Sequence, residues 1–224
     1  NRVPNTFFTQ RKTLNMLIVH HLNNSRSQRI LWLLEELAVD YSIKQYVRNA
    51  ETNLAPPELE AVHPLGKSPV ITDGENTVIE SGAIIDYILR VYGEGKLRPT
   101  PGTVAHEEYL QWLHYGEGSA MLPLMLKMYT SRLPDGGEAL QPRITDELNR
   151  HLGYMNAALE GVEWFVDNQL SGADIQLSFV VEIAPLMTSM AAFPNLEQFR
   201  QRLQSRPAYQ RALAKGGEYS FGPQ

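Results

Sequence analysis

The spacing of apolar positions divides the chain into two regions. Before Val91 the pattern predicts short strands alternating with helices. The predicted elements are a strand at Met16–Leu22, a helix after Ser25, a strand at Tyr41–Val47, a helix at Glu58–Val62, strands at Val70–Thr72 and Thr77–Ile79, and a helix at Ser81–Val91. This β-α-β-α-β-β-α order predicts a mixed sheet with helices packed on it, because parallel strands need crossover connections.

Beyond Gly102 the pattern predicts helices alone. They span Val104–Arg132, Leu140–Leu159, Ala173–Met187, Asn195–Gln204 and Pro207–Ala214, followed by a loose tail at Gly216–Gln224. Pro123 lies inside the first of them, so we expect a break near Gly118–Leu122. Ser171 and Asp174 have the spacing of a capping box, which is a folding element rather than a site.

Glycines and prolines between the two regions mark a linker. We therefore predict an α/β domain over residues 16–93, a linker over 94–103 and an all-α helical domain over 104–224. Residues 1–15 are polar and basic and contain no acid. We expect them to be a disordered extension or an upstream translated tail, with a weak transit peptide as the alternative.

Composition excludes several classes of protein. An apolar fraction of 43% and a charged fraction of 20% are ordinary for a soluble globule. The net charge of −5 argues against a broad nucleic-acid surface, and no run is apolar enough for a membrane span. Without a signal peptide, the cytoplasm is the default compartment.

The chain contains no cysteine, which excludes disulfides, thiolate metal sites and a cysteine nucleophile. His20, His21 and His63 lack the spacing of metal ligands, so we expect no metal.

Candidate chemistry concentrates between His63 and Ser81, around a predicted hairpin. Pro69 opens the first strand and cannot donate to the sheet, and a cis Ser68–Pro69 bond would leave the backbone of Ser68 exposed. Ser81 fits an N-cap, which would point a helix N-terminus at Ser68, next to the carboxylate of Glu80. These groups suit a ligand that carries an ammonium and carboxylates, such as a peptide. A purely structural hairpin with a capped helix fits the same residues.

Three separate motifs in the chain resemble those of a known protein family. The sequences GKSPV at 66–70 and ESGAI at 80–84 resemble the glutathione-binding half of the glutathione S-transferase family. SRSQRILWLLEEL at 25–37 and AVHPLGKSPV at 61–70 are most similar to the bacterial and fungal transferases related to the yeast Gtt type. The resemblance extends from Met16 to about Phe199. It implies a thioredoxin-like first domain, a helical second domain, glutathione as co-substrate, a homodimer and a role in detoxification.

The resemblance also assigns glutathione contacts. Ser68 would pair its backbone with the cysteinyl unit, Glu80 would meet the γ-glutamyl ammonium and Ser81 the carboxylate beside it. Lys67 would approach the glycyl carboxylate, although a solvated loop lysine is the commoner fate of such a residue. The family often supplies a further basic residue near Asn53–Leu54, and this chain has none there, so more weight falls on Lys67.

Activation of the glutathione thiol is the main chemical task that the resemblance implies. A free thiol has a pKa near 8.5, and lowering it by about two units requires roughly 2.7 kcal/mol. One good hydrogen bond to the sulfur, helped by a helix N-terminus, is of that size. In the family a Ser or Asn after the first strand donates it, which here means Ser25 or Asn24. We expect Ser25, because a hydroxyl donates with fewer geometric demands, although both residues, and Asn23, also fit simple N-caps.

The electrophile pocket should lie between the domains. Tyr109, Trp112, Tyr115 and Met121 are candidates to line it, although an aromatic stripe at helical spacing is also typical of a core. The expected function is transfer of glutathione to a hydrophobic electrophile. Glutathione-dependent disulfide or peroxide reduction is an alternative, and a non-catalytic binding or dimerisation module is another.

Overall fold

Four strands and eight α-helices form within residues 16–223, the part of the chain that the computed structural model describes. The strands are β1 Ile18–Leu22, β2 Ser42–Tyr46, β3 Val70–Asp73 and β4 Asn76–Ile79. The helices are α1 Ser27–Leu37, α2 Ser81–Val91, α3 Val104–Tyr115, α4 Met121–Thr130, α5 Gln141–Ala158, α6 Gly172–Met187, α7 Pro194–Gln204 and α8 Pro207–Gly216. The prediction for residues 1–15 lies outside the described range.

The strands form one mixed sheet, as predicted, and their order across it is β2-β1-β3-β4. β1 pairs in parallel with β2, and α1 makes the crossover between them. β3 runs antiparallel to both β1 and β4. A four-strand mixed sheet with helices, followed by a helical domain, confirms the predicted fold class.

The predicted helix at Glu58–Val62 is wrong. Only a single 3-10 turn forms there, at Pro57–Leu59. Prolines at positions 56, 57 and 64 bracket the segment, and the residue before a proline is disfavoured in the helical region. Too few residues remain for successive α-helical turns.

The core is continuous through both halves of the chain, and α6 lies at its centre. Every residue from Gly172 to Ala184 is buried, and α6 packs against α1, α2, α3 and α4. The capping box at its start forms as predicted, because Asp174 accepts hydrogen bonds from the backbone N–H groups of Ser171 at 2.8 Å and Phe165 at 3.0 Å. Within residues 16–223, no helix combines the length and apolar character needed to cross a bilayer.

The long predicted helix is interrupted where we expected a break. α3 ends at Tyr115, a π-helical segment follows at Gly116–Ala120, and α4 begins at Met121 with Pro123 in its first turn. A proline in the first turn costs no hydrogen bond within α4, but it prevents a regular helix from running through from α3. The π segment turns Glu117 toward the first domain.

The predicted N-caps at two helices differ from the observed flanking residues by one to three positions. Ser81 is the first residue of α2, and Glu80 before it makes no side-chain cap. α1 begins at Ser27, with Arg26 as its flanking residue, so Asn23 and Asn24 lie too early to cap it. Ser25 accepts a hydrogen bond from the backbone N–H of Ser27 at 3.2 Å, which is the contact that an N-cap side chain makes.

The predicted loose tail is also wrong. Gly216 still belongs to α8, and the residues that follow pack on the helical domain. The hydroxyl of Tyr219 donates to Oε2 of the buried Glu182 at 2.7 Å. Buried hydrogen bonding of this kind is not visible in the composition of the tail, which is rich in glycine and polar residues.

Candidate functional site

Two adjoining cavities lie beside the turn between β1 and α1. The first, the polar cavity, has a volume of about 260 Å³ and is lined mainly by polar and charged side chains, among them those of Arg26, Lys67, Ser68, Glu80, Ser81 and Glu117. The second, the apolar cavity, has a volume of about 440 Å³ and lies between the two domains. Arg26, Lys67 and Ser68 line both, so the cavities adjoin where the β1–α1 turn meets the loop before β3.

Four predicted glutathione contacts come together around the polar cavity: Lys67, Ser68, Glu80 and Ser81. The Ser68–Pro69 peptide bond is cis. The Ser68 hydroxyl donates to the backbone carbonyl of His20 at 2.9 Å, which fixes this loop to β1. The hairpin β3–β4 then returns the chain to Glu80 and Ser81 on the opposite wall of the cavity.

Glu80 has an unusual backbone conformation, with φ at 65° and ψ at 120°. Positive φ is unfavourable for a residue with a side chain and costs on the order of 1–3 kcal/mol. The side chain is exposed at the rim of the cavity rather than packed in the core. Strain of this kind at a non-glycine residue is typical of functional positions.

A cluster of two arginines and one glutamate ties the turn to the second domain. Glu117, from the π segment, accepts hydrogen bonds from Nε of Arg26 at 2.8 Å and from the guanidinium of Arg29. The Arg29 side chain is only 1% exposed and also donates to Oε1 of Gln176 at 3.0 Å. Burial alone would raise the pKa of Glu117, but the charges of Arg29 and Arg26 outweigh that effect and lower it.

The two candidate thiol donors occupy different environments in the turn. Asn24 has φ at 50°, and its Oδ1 accepts a hydrogen bond from the backbone N–H of Ser220 at 2.7 Å. Ser25 is buried, and its Oγ lies 2.8 Å from Oγ of Ser27. Both residues line the apolar cavity next to the part that it shares with the polar cavity. The side-chain oxygen of Asn24 is therefore hydrogen-bonded to the segment after α8, whereas Ser25 is hydrogen-bonded within the turn, to Ser27.

That network continues behind the turn to His21. The Ser27 hydroxyl lies 2.8 Å from Nδ1 of His21, whose ring also hydrogen-bonds to the backbone of Gly216 in α8. Burial lowers the pKa of His21 to about 4, so the ring is neutral at pH 7. A neutral ring that donates to the Gly216 carbonyl accepts the Ser27 hydroxyl at Nδ1. His21 thus positions the Ser27 hydroxyl, which in turn positions the Ser25 hydroxyl.

The other two histidines considered as metal ligands, His20 and His63, make structural contacts. Nδ1 of His20 is 2.9 Å from the Tyr46 hydroxyl, and Nδ1 of His63 accepts from the backbone N–H of Leu65 at 3.3 Å. Among residues 16–223 no group of three or more histidine, cysteine, aspartate or glutamate side chains is arranged to hold a metal ion.

Three of the predicted electrophile contacts do not line the apolar cavity. Tyr109 and Trp112 are buried in the helical core, where Trp112 packs against Phe165 with ring centroids 4.6 Å apart. The hydroxyl of Tyr115 lies 2.7 Å from Nδ1 of His151 in α5. This face of α3 is turned toward α5 and α6, so the aromatic stripe belongs to the core. Met121, after the π segment, does line the cavity.

The walls of the apolar cavity come from six parts of the chain. α4 contributes Met121, Met125 and Met128, and α6 contributes Phe179 and Met187. The β1–α1 turn, the segment after α8 and two loops, at residues 48–55 and 66–68, complete the wall. Four of the seven methionines of the chain therefore line one cavity, which gives it a flexible apolar surface.

Sequence reasoning missed three charged residues at the site. Arg26 directly follows Ser25 and lines both cavities, and Glu117 lies between two glycines, directly before the predicted helix break. Arg48, just after β2, donates to the backbone carbonyl of Asn53 at 3.0 Å. It supplies the positive charge that the sequence lacks at positions 53 and 54. The position of Arg26 next to Ser25, and of Glu117 between two glycines, could have identified these two residues as site candidates. No feature of the sequence around Arg48 indicates a role at the site.

Comparisons with known proteins agree with this architecture. Residues 15–90 match the family model "Glutathione S-transferase, N-terminal domain", and residues 119–207 match "Glutathione S-transferase, C-terminal domain". Glutathione S-transferase 3 of Schizosaccharomyces pombe is 33% identical over 89% of this chain and 88% of its own length. Glutathione S-transferase 1 of Saccharomyces cerevisiae is 30% identical over 92% of this chain and 100% of its own length.

Solved structures give the same result. A glutathione S-transferase from Actinobacillus pleuropneumoniae superimposes with a TM-score of 0.84 at 33% identity, over 92% of this chain and 95% of its own. The transferase URE2P8 of Phanerochaete chrysosporium, solved with oxidized glutathione, shares the fold with a TM-score of 0.78 at 19% identity, over 90% of this chain and 95% of its own. A more distant match is probable elongation factor 1-gamma 1 of Arabidopsis thaliana, 23% identical over 88% of this chain and 49% of its own length. The two family models together span most of the chain, which belongs to the glutathione S-transferase family.

Proposed function

We propose that this protein is a glutathione transferase that ionises the thiol of glutathione and transfers the sulfur to an apolar electrophile. The observation that carries the proposal is the junction of the two cavities. A polar cavity suited to a charged tripeptide meets an apolar cavity at the turn that contains Ser25. A thiol held at that junction faces the space in which an apolar partner would bind.

Glutathione fits the polar cavity by charge. The tripeptide has one ammonium and two carboxylates, and in this proposal Glu80 binds the ammonium and Ser81 the carboxylate next to it. Lys67 binds the glycyl carboxylate, with Arg48 as the further positive charge on that side. The backbone of Ser68 pairs with the cysteinyl unit. Family membership supports each assignment, as does the fact that the four residues other than Arg48 line the same cavity.

Ser25 is the proposed donor to the sulfur. The Ser27 N–H holds Ser25 Oγ, which leaves the hydroxyl hydrogen free to turn from Ser27 Oγ toward a thiolate. Asn24 is the alternative donor: its amide oxygen accepts from the Ser220 N–H, and its Nδ2 is the group that would donate to the sulfur. The positive N-terminus of α1 and the guanidinium of Arg26 add favourable charge next to this position.

The proposed reaction is a nucleophilic substitution. The thiol loses its proton to solvent, and the thiolate attacks the electrophilic carbon to form the sulfur–carbon bond. The leaving group departs with the electron pair of the bond that breaks. The part of the enzyme is to lower the pKa of the thiol and to hold both partners in contact.

The test combines binding with turnover. Calorimetry should show binding of glutathione, and an aromatic halide such as a chlorodinitrobenzene should be converted to its glutathione conjugate. Binding of glutathione without turnover of any halide, disulfide or peroxide would favour the non-catalytic module. The likeness to probable elongation factor 1-gamma 1 is the reason to test for this role. Absence of glutathione binding would contradict the proposal altogether.

A homodimer, a cytoplasmic location and a role in detoxification are part of the same proposal. Family membership supports them. Sedimentation equilibrium of the purified chain tests the first, with a mass of about twice 25.3 kDa as the expected result. A monomer at micromolar concentration would contradict it.

A further inference from the structure

The segment Gly217–Pro223, which we call the C-terminal strap, connects the end of α8 to the candidate site. The backbone N–H of Ser220 donates to Oδ1 of Asn24 at 2.7 Å, next to Ser25. Asn24 has a positive φ of 50°, so its side chain is presented by a tight turn rather than by a strand or a helix. The strap therefore touches the turn that we propose to activate the thiol.

A buried anchor holds the strap in this position. Tyr219 donates to Oε2 of Glu182 at 2.7 Å, and Tyr209 in α8 donates to the other carboxylate oxygen at 2.5 Å. Glu182 lies in α6 and is only 4% exposed. A carboxylate removed from water needs such donors, so the anchor fixes Tyr219 to the core helix.

Phe221 follows the anchor and reaches the apolar cavity. Its ring meets Phe179 edge to face, with centroids 5.8 Å apart, and lies 5.3 Å from the ring of Tyr219. Phe179 also lies under the guanidinium of Arg26, 4.9 Å from its ring centroid. Phe221 and Phe179 thus form a rigid aromatic wall, whereas the methionines of α4 and α6 form a flexible one.

We infer that Phe221 is a specificity-determining residue: it binds the apolar group attached to the sulfur and makes affinity rise with the length of that group. The inference rests on the proposed function and deepens it. A substituent several carbons long would extend from Ser25 along the aromatic wall toward the methionines. A methyl group has less apolar surface than a hexyl group to place against the ring of Phe221.

Binding of two S-alkylglutathiones tests the inference without requiring turnover. S-methylglutathione and S-hexylglutathione differ only in the part that would enter the apolar cavity. Calorimetry on the full chain gives the ratio of their dissociation constants for the wild type, for Phe221→Ala and for the conservative Phe221→Leu. We expect the wild type to bind the hexyl compound more tightly by at least about tenfold, since each buried methylene contributes to transfer from water.

Phe221→Ala should reduce that preference by about five- to tenfold and leave affinity for the methyl compound within about twofold, because the glutathione contacts remain. Phe221→Leu should retain most of the preference. Tyr219→Phe, which keeps the ring but removes the hydrogen bond to Glu182, should reduce it by about two- to threefold.

The outcomes separate the inference from the proposed function. If the wild type binds both compounds and the preference is the same in Phe221→Ala, the inference is wrong and the transferase proposal stands. If Phe221→Ala loses both compounds, Tyr219→Phe decides, and a preference there equal to that of the wild type also overturns the inference. If the wild type binds neither compound, the proposed function fails as well.

Discussion

The two cavities are built on different physical principles. The polar cavity is fixed by charge and hydrogen bonds: Glu117 joins Arg26 and Arg29, Ser68 is bonded to β1, and Glu80 is held at positive φ. The apolar cavity is formed by side chains from the β1–α1 turn, the loops at residues 48–55 and 66–68, α4, α6 and the C-terminal strap, and four of them are methionines. The polar cavity is locked, whereas the methionine wall of the apolar cavity is deformable.

This difference suits the proposed chemistry. A single co-substrate that always has the same charges is best bound by fixed partners, since prepositioned groups lose little entropy on binding. Electrophiles of varied shape are better served by methionines, which repack at small cost. The comparison predicts that conservative changes should be costly at the polar cavity and mild at the apolar one.

The largest effect should follow loss of charge at Glu117. Glu117→Gln leaves the buried guanidinium of Arg29 without its carboxylate partner, and we expect the free energy of unfolding to fall by about 3 kcal/mol in urea titrations. The matched control is Glu107→Gln, an exposed glutamate in α3, which should change stability by less than about 0.5 kcal/mol. Equally small losses of unfolding free energy in Glu117→Gln and Glu107→Gln would mean that the charge of Glu117 does not hold the polar cavity in place.

The network behind the turn gives a pH-dependent test of the same rigidity. The folded-state pKa of His21 is about 4, below its ordinary value of 6.5. Between these two pH values the His21 ring is protonated in the unfolded chain and neutral in the folded chain. His21 therefore makes stability fall as pH decreases from about 6.5 to about 4, by roughly 2 to 3 kcal/mol at the lower end.

The comparison of variants isolates this one group. His21→Gln retains a hydrogen-bonding side chain but cannot titrate, so its unfolding free energy should fall less between pH 7 and pH 4.5 than that of the wild type. His114→Gln, at an exposed position, should keep the pH dependence of the wild type. If His21→Gln behaves like His114→Gln, the His21 ring is not held neutral by burial.

Two substitutions at Glu80 distinguish its contribution to glutathione affinity from the cost of its backbone strain to stability. Glu80→Gln keeps the shape but removes the charge, and affinity for glutathione should fall by about 10- to 30-fold, the size of a charge-assisted hydrogen bond. Glu80→Gly should lose at least as much affinity while the free energy of unfolding rises by up to about 1 kcal/mol, because glycine tolerates a φ of 65°. Calorimetry and urea unfolding measure the two effects. A loss of stability in Glu80→Gly would argue against backbone strain at this position.

The smallest effects should appear in the apolar cavity. Met125→Leu and Met128→Leu keep the apolar volume, and we expect affinity for S-hexylglutathione to change by less than about threefold in each. Calorimetry on the two variants and the wild type measures this. A loss of tenfold or more from either swap would show that this wall is as specific as the polar cavity and would remove the contrast between the two.

Sequence predicted the polar cavity far better than the apolar one, for a physical reason. Lys67, Ser68, Glu80 and Ser81 flank one hairpin, so local turn chemistry and the known motif bring them together. The apolar cavity depends on which face of each helix turns inward and on where the strap docks. Periodicity predicted a helix with an aromatic stripe at α3 and left both the cavity and the core open for it, and Tyr109 and Trp112 face the core.

The long-range contacts were equally out of reach. Ser220 and Asn24 are 196 positions apart, and Glu117 and Arg29 are 88 apart. No local pattern predicts such pairs, because they depend on how α6 and α8 pack against α1. The succession of strands and helices along the chain, the helix break and the capping box were predictable because each follows from residues close together in the chain.

The central claim, that a neutral side chain in the β1–α1 turn stabilises the thiolate, is tested most directly by the pKa of the bound glutathione thiol. Titration of the thiolate absorbance in the wild type, Ser25→Ala and Asn24→Ala measures it. We predict a pKa about two units below that of free glutathione in the wild type, a rise of at least about one unit in Ser25→Ala and little change in Asn24→Ala. The same low thiol pKa in Ser25→Ala as in the wild type would contradict the account.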